Sequence, residues 1–301
     1  MIEQVSPYTI TQDLVGDCSF VSSLCVAAQY ERMFRRKLVT GIVYPQDRSG
    51  NPLFNPSGKY VVRLHVNGVP RRIVVDDRLP MSKRGHLLCA RSNNHSEMWV
   101  SIIEKAFLKL CGSYAFPGSN SCKDLYALTG WMPELLRATD SSFDPDRQWQ
   151  RISGGMGNGD CLCTAATPEL SKEEEERWGL VETHAYAVLE TREVMAGGQR
   201  YRMVKMKNPW GRKRWKGKYS EGDTSNWTPA LKRALQFDQT QAMQFDNGIF
   251  WIDWESMLQH FPSVYLSWNP QLLVHRAVRH GSWPIAAPGP RLDQYQVGQN
   301  P

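Results

Sequence analysis

The sequence predicts an α+β protein of two lobes with a cleft where they meet. Three observations carry this: a helical apolar run at 18–36, alternating strand-like segments on either side of residue 197, and a junction at 122–130 between a helix-led half and a strand-led half. The chain has 301 residues, 41% hydrophobic and 22% charged, so a large core is affordable and global disorder is excluded. No apolar run nears the roughly 18 residues that cross a bilayer. The first residues lack the basic-then-apolar pattern of a secretory signal.

Residues 1–17, with Pro7 and Gly16, read as an extended entry. The run from Cys18 to Arg36 is apolar at 18, 20, 21, 24, 25, 27 and 28 and then turns basic, which predicts a buried helix with Asp17 at its N-cap. Residues 42–56 read as loop. Segments 59–66 and 69–80 alternate around Asn67-Gly68, a hairpin signal. A helix follows over 98–110, with Ser96 as cap and Gly112 as stop. In the second half, 131–138 reads as a short helix, 147–153 as a helix ending at Gly154-Gly155, and 159–167 as a strand. Ser171 and Glu174 form a capping-box pattern. Segments 183–194 and 199–210 read as paired strands, and Thr228-Pro229 opens another helix. The expected lobes are 1–129 and 130–270, with 271–301 a linker or divergent tail.

Lys plus Arg number 36 against 30 acidic residues, a net charge of +6. This mild excess does not define a nucleic-acid binder. Seven cysteines, an odd count without small-scaffold spacing, predict free thiols in a reducing compartment. That means the cytoplasm, with nuclear presence open.

One thiol stands at a helix start. In Gly16-Asp17-Cys18, unpaired backbone N–H groups and the positive end of the helix dipole favour a thiolate. His184 begins one strand of the second hairpin and Asn208 ends the other. Each is twelve residues from Ala196, so a turn centred there makes them cross-strand neighbours. An amide beside an imidazole fixes its tautomer and leaves the other ring nitrogen to trade a proton with a thiol. That is the nucleophile, base and orienter of covalent acyl transfer. Gln12 could join the Cys18 backbone N–H in holding an oxyanion. Trp210 could shield the His184–Asn208 hydrogen bond. Taken singly, each also has a bland reading as core or turn residue.

Together these stretches resemble a family. Gln12, Gly16-Asp17-Cys18, Thr183-His184-Ala185-Tyr186 and Lys207-Asn208-Pro209-Trp210-Gly211 are similar to the protease core of the calpains, which are papain-like cysteine proteases. Val75–Pro80, Ile103–Ala106, Leu128–Gly130 and Asn247–Trp251 agree, and the resemblance runs in order over about 7–270. Ser19, Tyr44-Pro45-Gln46 and Trp268-Asn269-Pro270 look most like the atypical PalB-type calpains. The resemblance implies a two-lobed fold and an intracellular cysteine endopeptidase acting on an extended polypeptide. In it, Cys18 is nucleophile, His184 general base and acid, Asn208 orienter, Gln12 part of the oxyanion hole and Trp210 the cover. PalB-type calpains carry trafficking domains before the core and C2-like domains after it. The sequence shows neither, so trafficking or membrane-remodelling partners would act through domains outside it.

Conventional calpains bind one calcium ion in each lobe. By resemblance the candidates here are Glu104 in the first lobe and Glu221 and Asp246 in the second. Thr9, Arg214 and Ile249 stand where acidic ligands are expected, and a cation there opposes Ca²⁺. Weak or absent calcium dependence is expected, with no other cofactor. Three readings compete: a catalytically silent calpain-like scaffold, a metal site from Cys161, Cys163 and His184, and a phosphate-binding patch at 212–218. The second lacks zinc spacing and a fourth ligand. The third reads more simply as a solvated face; a rim of the substrate cleft that favours acidic peptides is the further hypothesis, and no nucleic-acid partner is expected.

Overall fold

The computed structural model describes residues 1–244 and 246–277. In chain order the first half contains β1 (Ile10–Thr11), α1 (Cys18–Phe34), β2 (Val43–Tyr44), β3 (Lys59–Val66), β4 (Val69–Asp76), β5 (Arg91–Ser92), α2 (Trp99–Cys111) and α3 (Ser121–Thr129). The second half contains β6 (Met132–Arg137), α4 (Pro145–Asn158), β7 (Cys161–Ala166), α5 (Lys172–Trp178), β8 (Ala185–Ala196), β9 (Gln199–Lys207), α6 (Pro229–Leu235), α7 (Gln239–Gln244), β10 (Ile249–Asp253), α8 (Trp254–His260) and β11 (Ser263–Trp268). Helices and purely antiparallel sheets make this an α+β fold. Among the described residues, no helix is long and apolar enough to cross a membrane.

Helix α1 is buried without a break from Ser19 to Tyr30, so it is a core helix rather than an amphipathic one. Phe20 stacks on Phe107 of α2 at 3.9 Å, and the same core takes in Tyr60, Trp99, Leu162, Ala187 and Leu189. The last three come from β7 and β8, so α1 packs directly against the second-half sheet. That sheet runs β10-β9-β8-β7-β11-β6. Its other core is aromatic, with Trp149, Tyr186, Trp254 and Phe261. The β3–β4 hairpin turns at Asn67-Gly68, both with positive φ, as the dipeptide demands.

Several expectations need correction. The segment 131–138 is strand β6, not a helix. It pairs with β11, placing Leu136 against Val264, and as the sheet edge it tolerates Pro133, which has no N–H to donate. Helix α4 passes through Gly154-Gly155 and stops at Gly159, which adopts the left-handed C-cap. Met98, not Ser96, caps α2, without a side-chain bond. Loop 42–56 contains the short β2. The Ser171–Glu174 capping box and the Thr228 cap form as expected. Of the tail 271–301, residues 278–301 lie outside the described residues.

Candidate active site

The β8–β9 hairpin turns through Gly197-Gly198, with Ala196 opposite Gln199. A β-bulge between Val188 and Glu190 then shifts the register, and the last pair is Ala187–Lys207. His184 and Asn208 are therefore not a directly opposed pair. Each lies just beyond its strand, and the side chains span the gap. His184 Nε2 is 2.9 Å from Asn208 Oδ1. Thr183, at φ 45°, makes the turn that aims the ring. The imidazole is packed edge-on against Tyr186 at 5.1 Å and against Trp210 at 4.7 Å.

The amide of Asn208 is fixed at both ends. Its Nδ2 donates to the Lys213 carbonyl at 3.0 Å, and its Oδ1 accepts the Trp210 N–H at 3.0 Å. A carbonyl can only accept, so Oδ1 must face the imidazole, which makes Nε2 the protonated nitrogen. Nδ1 is left as the acceptor.

One open cleft is lined by Gln12 to Gly16 and Cys18 together with Val181 to His184, Trp210 and Arg212. Cys18 is the first residue of α1 and half-buried, with its sulfur against the backbone N–H of Ala185. Burial pushes the Cys18 thiol up, more than the Ala185 N–H draws it down. Burial holds His184 down to about 4, against the opposing hydrogen bond to Asn208. Both shifts favour the neutral thiol–imidazole pair at rest. Gln12 Nε2 donates to the Val15 carbonyl at 2.8 Å, and its backbone N–H to the Pro209 carbonyl at 2.8 Å. The structure thus brings Gln12, Cys18, His184 and Trp210 to one cleft, with Asn208 buried behind the histidine.

Asp17 holds the N-cap position of α1 but makes no capping bond. Its side chain is fully buried against the carboxyl of Glu104, also fully buried. Two carboxylates have no hydrogen to share, so the contact requires a proton on one of them. Burial, opposed by that contact, raises Asp17 to about 7. The mark of this pair in the sequence is Glu104 itself, a charge within the apolar run Ile102–Phe107. Gly16 has no steric need to be glycine, since a Cβ there would meet only the Phe116 carbonyl at 3.6 Å.

The calpain family cysteine protease model matches residues 1–267. The chain belongs to the calpain family. It is 50% identical to Calpain-7 of Homo sapiens over 303 residues, covering 100% of this chain and 37% of that protein. It is 37% identical to the calpain-like protease palB/RIM13 of Aspergillus oryzae over 277 residues, 92% of this chain and 31% of the relative. To the calpain-type cysteine protease ADL1 of rice it is 31% identical over 305 residues, 99% of this chain and 13% of the relative. The chain thus spans little more than a third of the longest-covered of these relatives.

The calcium candidates of this calpain chain do not fit the ion. Glu104 accepts the Ala90 N–H through Oε1 and lies beside the equally buried Asp17 carboxyl, with no third carboxylate among the described residues grouped with them to complete a calcium shell. The Thr9 carbonyl accepts the Asn93 N–H, and its hydroxyl donates to Ser6. Glu221 and Asp246 both meet the Arg214 guanidinium, at 2.9 and 3.1 Å. Ile249 lies in β10 opposite Lys207. Among the described residues, no group of three or more His, Cys, Asp or Glu could hold a metal. Cys161 and Cys163 are buried strand residues, and His184 is engaged elsewhere. In the basic run 212–218, Trp215 is buried and stacked on Trp178, and Arg212 lines the cleft.

Proposed function

We propose that this chain is the catalytic core of an intracellular cysteine endopeptidase of two lobes, 1–129 and 130–270, with substrate extended across the cleft between them. The observation that carries the reading is the oriented His184–Asn208 pair at a cleft that Cys18 also lines. In the reaction, the Cys18 thiol proton passes to His184 Nδ1 as the sulfur attacks the peptide carbonyl carbon. The carbonyl oxygen takes the charge, facing the Cys18 N–H and Gln12. The C–N bond breaks, and the amine leaves with the proton from His184. His184 then takes a proton from water, whose oxygen displaces the thioester sulfur. Trp210 excludes water from the Asn208 side. Calcium dependence is weak or absent, and the location is the cytoplasm, with access to the nucleus.

Two features favour the alternative, a weak or silent scaffold: the Gln12 amide is already turned to the Val15 carbonyl, and burial raises the Cys18 thiol. Labelling with an epoxysuccinyl peptide separates the two readings. The proteolytic reading expects one adduct, on Cys18, lost in H184A and slowed at least tenfold in N208A, together with cleavage of an unstructured polypeptide. An unlabelled Cys18 in folded protein would leave the scaffold reading.

A further inference from the structure

The guanidinium of Arg214 sits between carboxylates on two different loops. Its Nε lies 2.9 Å from Glu221 Oε1 and 3.1 Å from Asp246 Oδ1, and an Nη donates to the Ala242 carbonyl at 2.7 Å. The side chain is 9% exposed and that of Glu221 is 17% exposed. A charge this sheltered is tolerated only where oxygens are arranged to receive it. The backbone of the same segment is held from the other side. A Cβ on Gly179 would fall 2.0 Å from the Arg214 carbonyl, so only glycine permits the approach. The Lys216 N–H donates to the Trp178 carbonyl at 2.8 Å.

One residue before this anchor, the Lys213 carbonyl accepts from Asn208 Nδ2 at 3.0 Å, with Lys213 at φ 56°. That carbonyl, together with the Trp210 N–H on Oδ1, decides which end of the Asn208 amide faces His184. Were the carbonyl to move away, the amide would keep only the Trp210 N–H to orient it, and a turned-over fraction that presents Nδ2 to the ring and reverses the tautomer becomes accessible.

The geometry points to Arg214 as a positioning residue that serves as a built-in cation: it clamps the 221 and 246 loops, holds the Lys213 carbonyl in place and so sets the tautomer of His184 through Asn208. It supplies within the chain the positive charge that Glu221 and Asp246 would otherwise draw from a bound ion. The consequence for proteolysis rests on the function proposed above; the clamp and the tautomer do not.

The test uses the full chain with ¹⁵N-labelled histidine and follows thermal unfolding alongside the His184 ring shifts. Wild type is expected to show a single Nε2–H tautomer, and a Tm that millimolar calcium chloride does not move. R214M should lose about 4 °C or more and show mixed His184 tautomers. R214D, which sets a third carboxylate beside the other two, should be less stable in EGTA and regain its Tm in millimolar calcium chloride. Should R214M be too unstable for spectra, R214M/E221Q/D246N should recover part of the lost Tm, because the carboxylates no longer need a cation. The proposal is overturned by any of three results: R214M with wild-type Tm and tautomer, a triple variant no better than R214M, or a wild-type Tm that itself rises several degrees in calcium. An unreactive wild-type Cys18 with an intact tautomer response would instead count against the proteolytic reading alone.

Discussion

Three buried titratable side chains pull the stability of this calpain domain in opposite directions with pH. Burial lowers His184 from 6.5 to about 4, so its contribution is complete above 6.5 and is lost as pH falls toward 4. Burial raises Asp124 from 3.8 to about 7, with the Ser19 and Ser119 hydroxyls partly opposing the rise. Its contribution is complete below 3.8 and is lost as pH rises through 7. Asp17 follows the same rule, from the same starting value to about 7. D124N, neutral at every pH, should therefore gain roughly 1–3 kcal/mol more stability over wild type at about pH 8 than near pH 5, where the loss has only begun. Urea unfolding at the two pH values checks this, and equal midpoint shifts at both would refute it. H184Q should flatten the loss of stability on the acid side, read from the same titrations between about pH 6.5 and 4.

At the level of elements, hairpins were the most legible feature, because turn chemistry and alternation are local. Asn67-Gly68 and Gly197-Gly198 both fall at turns. Register was less so: the turn lies at Gly197-Gly198, just beyond the centre expected at Ala196, and the bulge between Val188 and Glu190 does not restore the pairing, so His184 and Asn208 are offset. Strand β6 misled because Leu-Leu-Arg favours helix in isolation, whereas pairing with β11 decided the matter. Buried Lys207, at the end of β9, was also invisible. Its Nζ donates to the Pro7 and Ile10 carbonyls, binding the end of β9 to the segment that carries Gln12. K207M would strand those carbonyls and should cost about 2–4 kcal/mol. It should also speed amide exchange over residues 7–12; exchange unchanged there would show that the link is dispensable. S171A removes the cap of α5, which does not line the cleft. It should cost about 1 kcal/mol and leave Cys18 labelling as in wild type.

Across the whole molecule, the two halves meet through a few buried polar contacts set in a shared apolar wall. Ser22 of α1 donates to the Ala185 carbonyl at 2.9 Å, one residue from His184, while the Ala185 N–H faces the Cys18 sulfur. S22A should cost about 1–2 kcal/mol and change the rate of Cys18 alkylation, measured against free cysteine. An unaltered rate would mean that this contact does not set the distance across the cleft.

Membership of the calpain family, the residue types of the candidate site, the Asn67-Gly68 turn and the Ser171 and Thr228 caps were readable from residue order. Such features depend on neighbours a few positions away, or on motifs that keep their spacing. The proton-sharing Asp17–Glu104 pair, the Lys207 link and the Arg214 clamp emerge from the folded chain alone. Each joins groups distant in sequence, 200 residues apart in the case of Lys207 and Pro7. A buried charge takes its meaning from whatever oxygen it meets there, and only chain closure determines that partner.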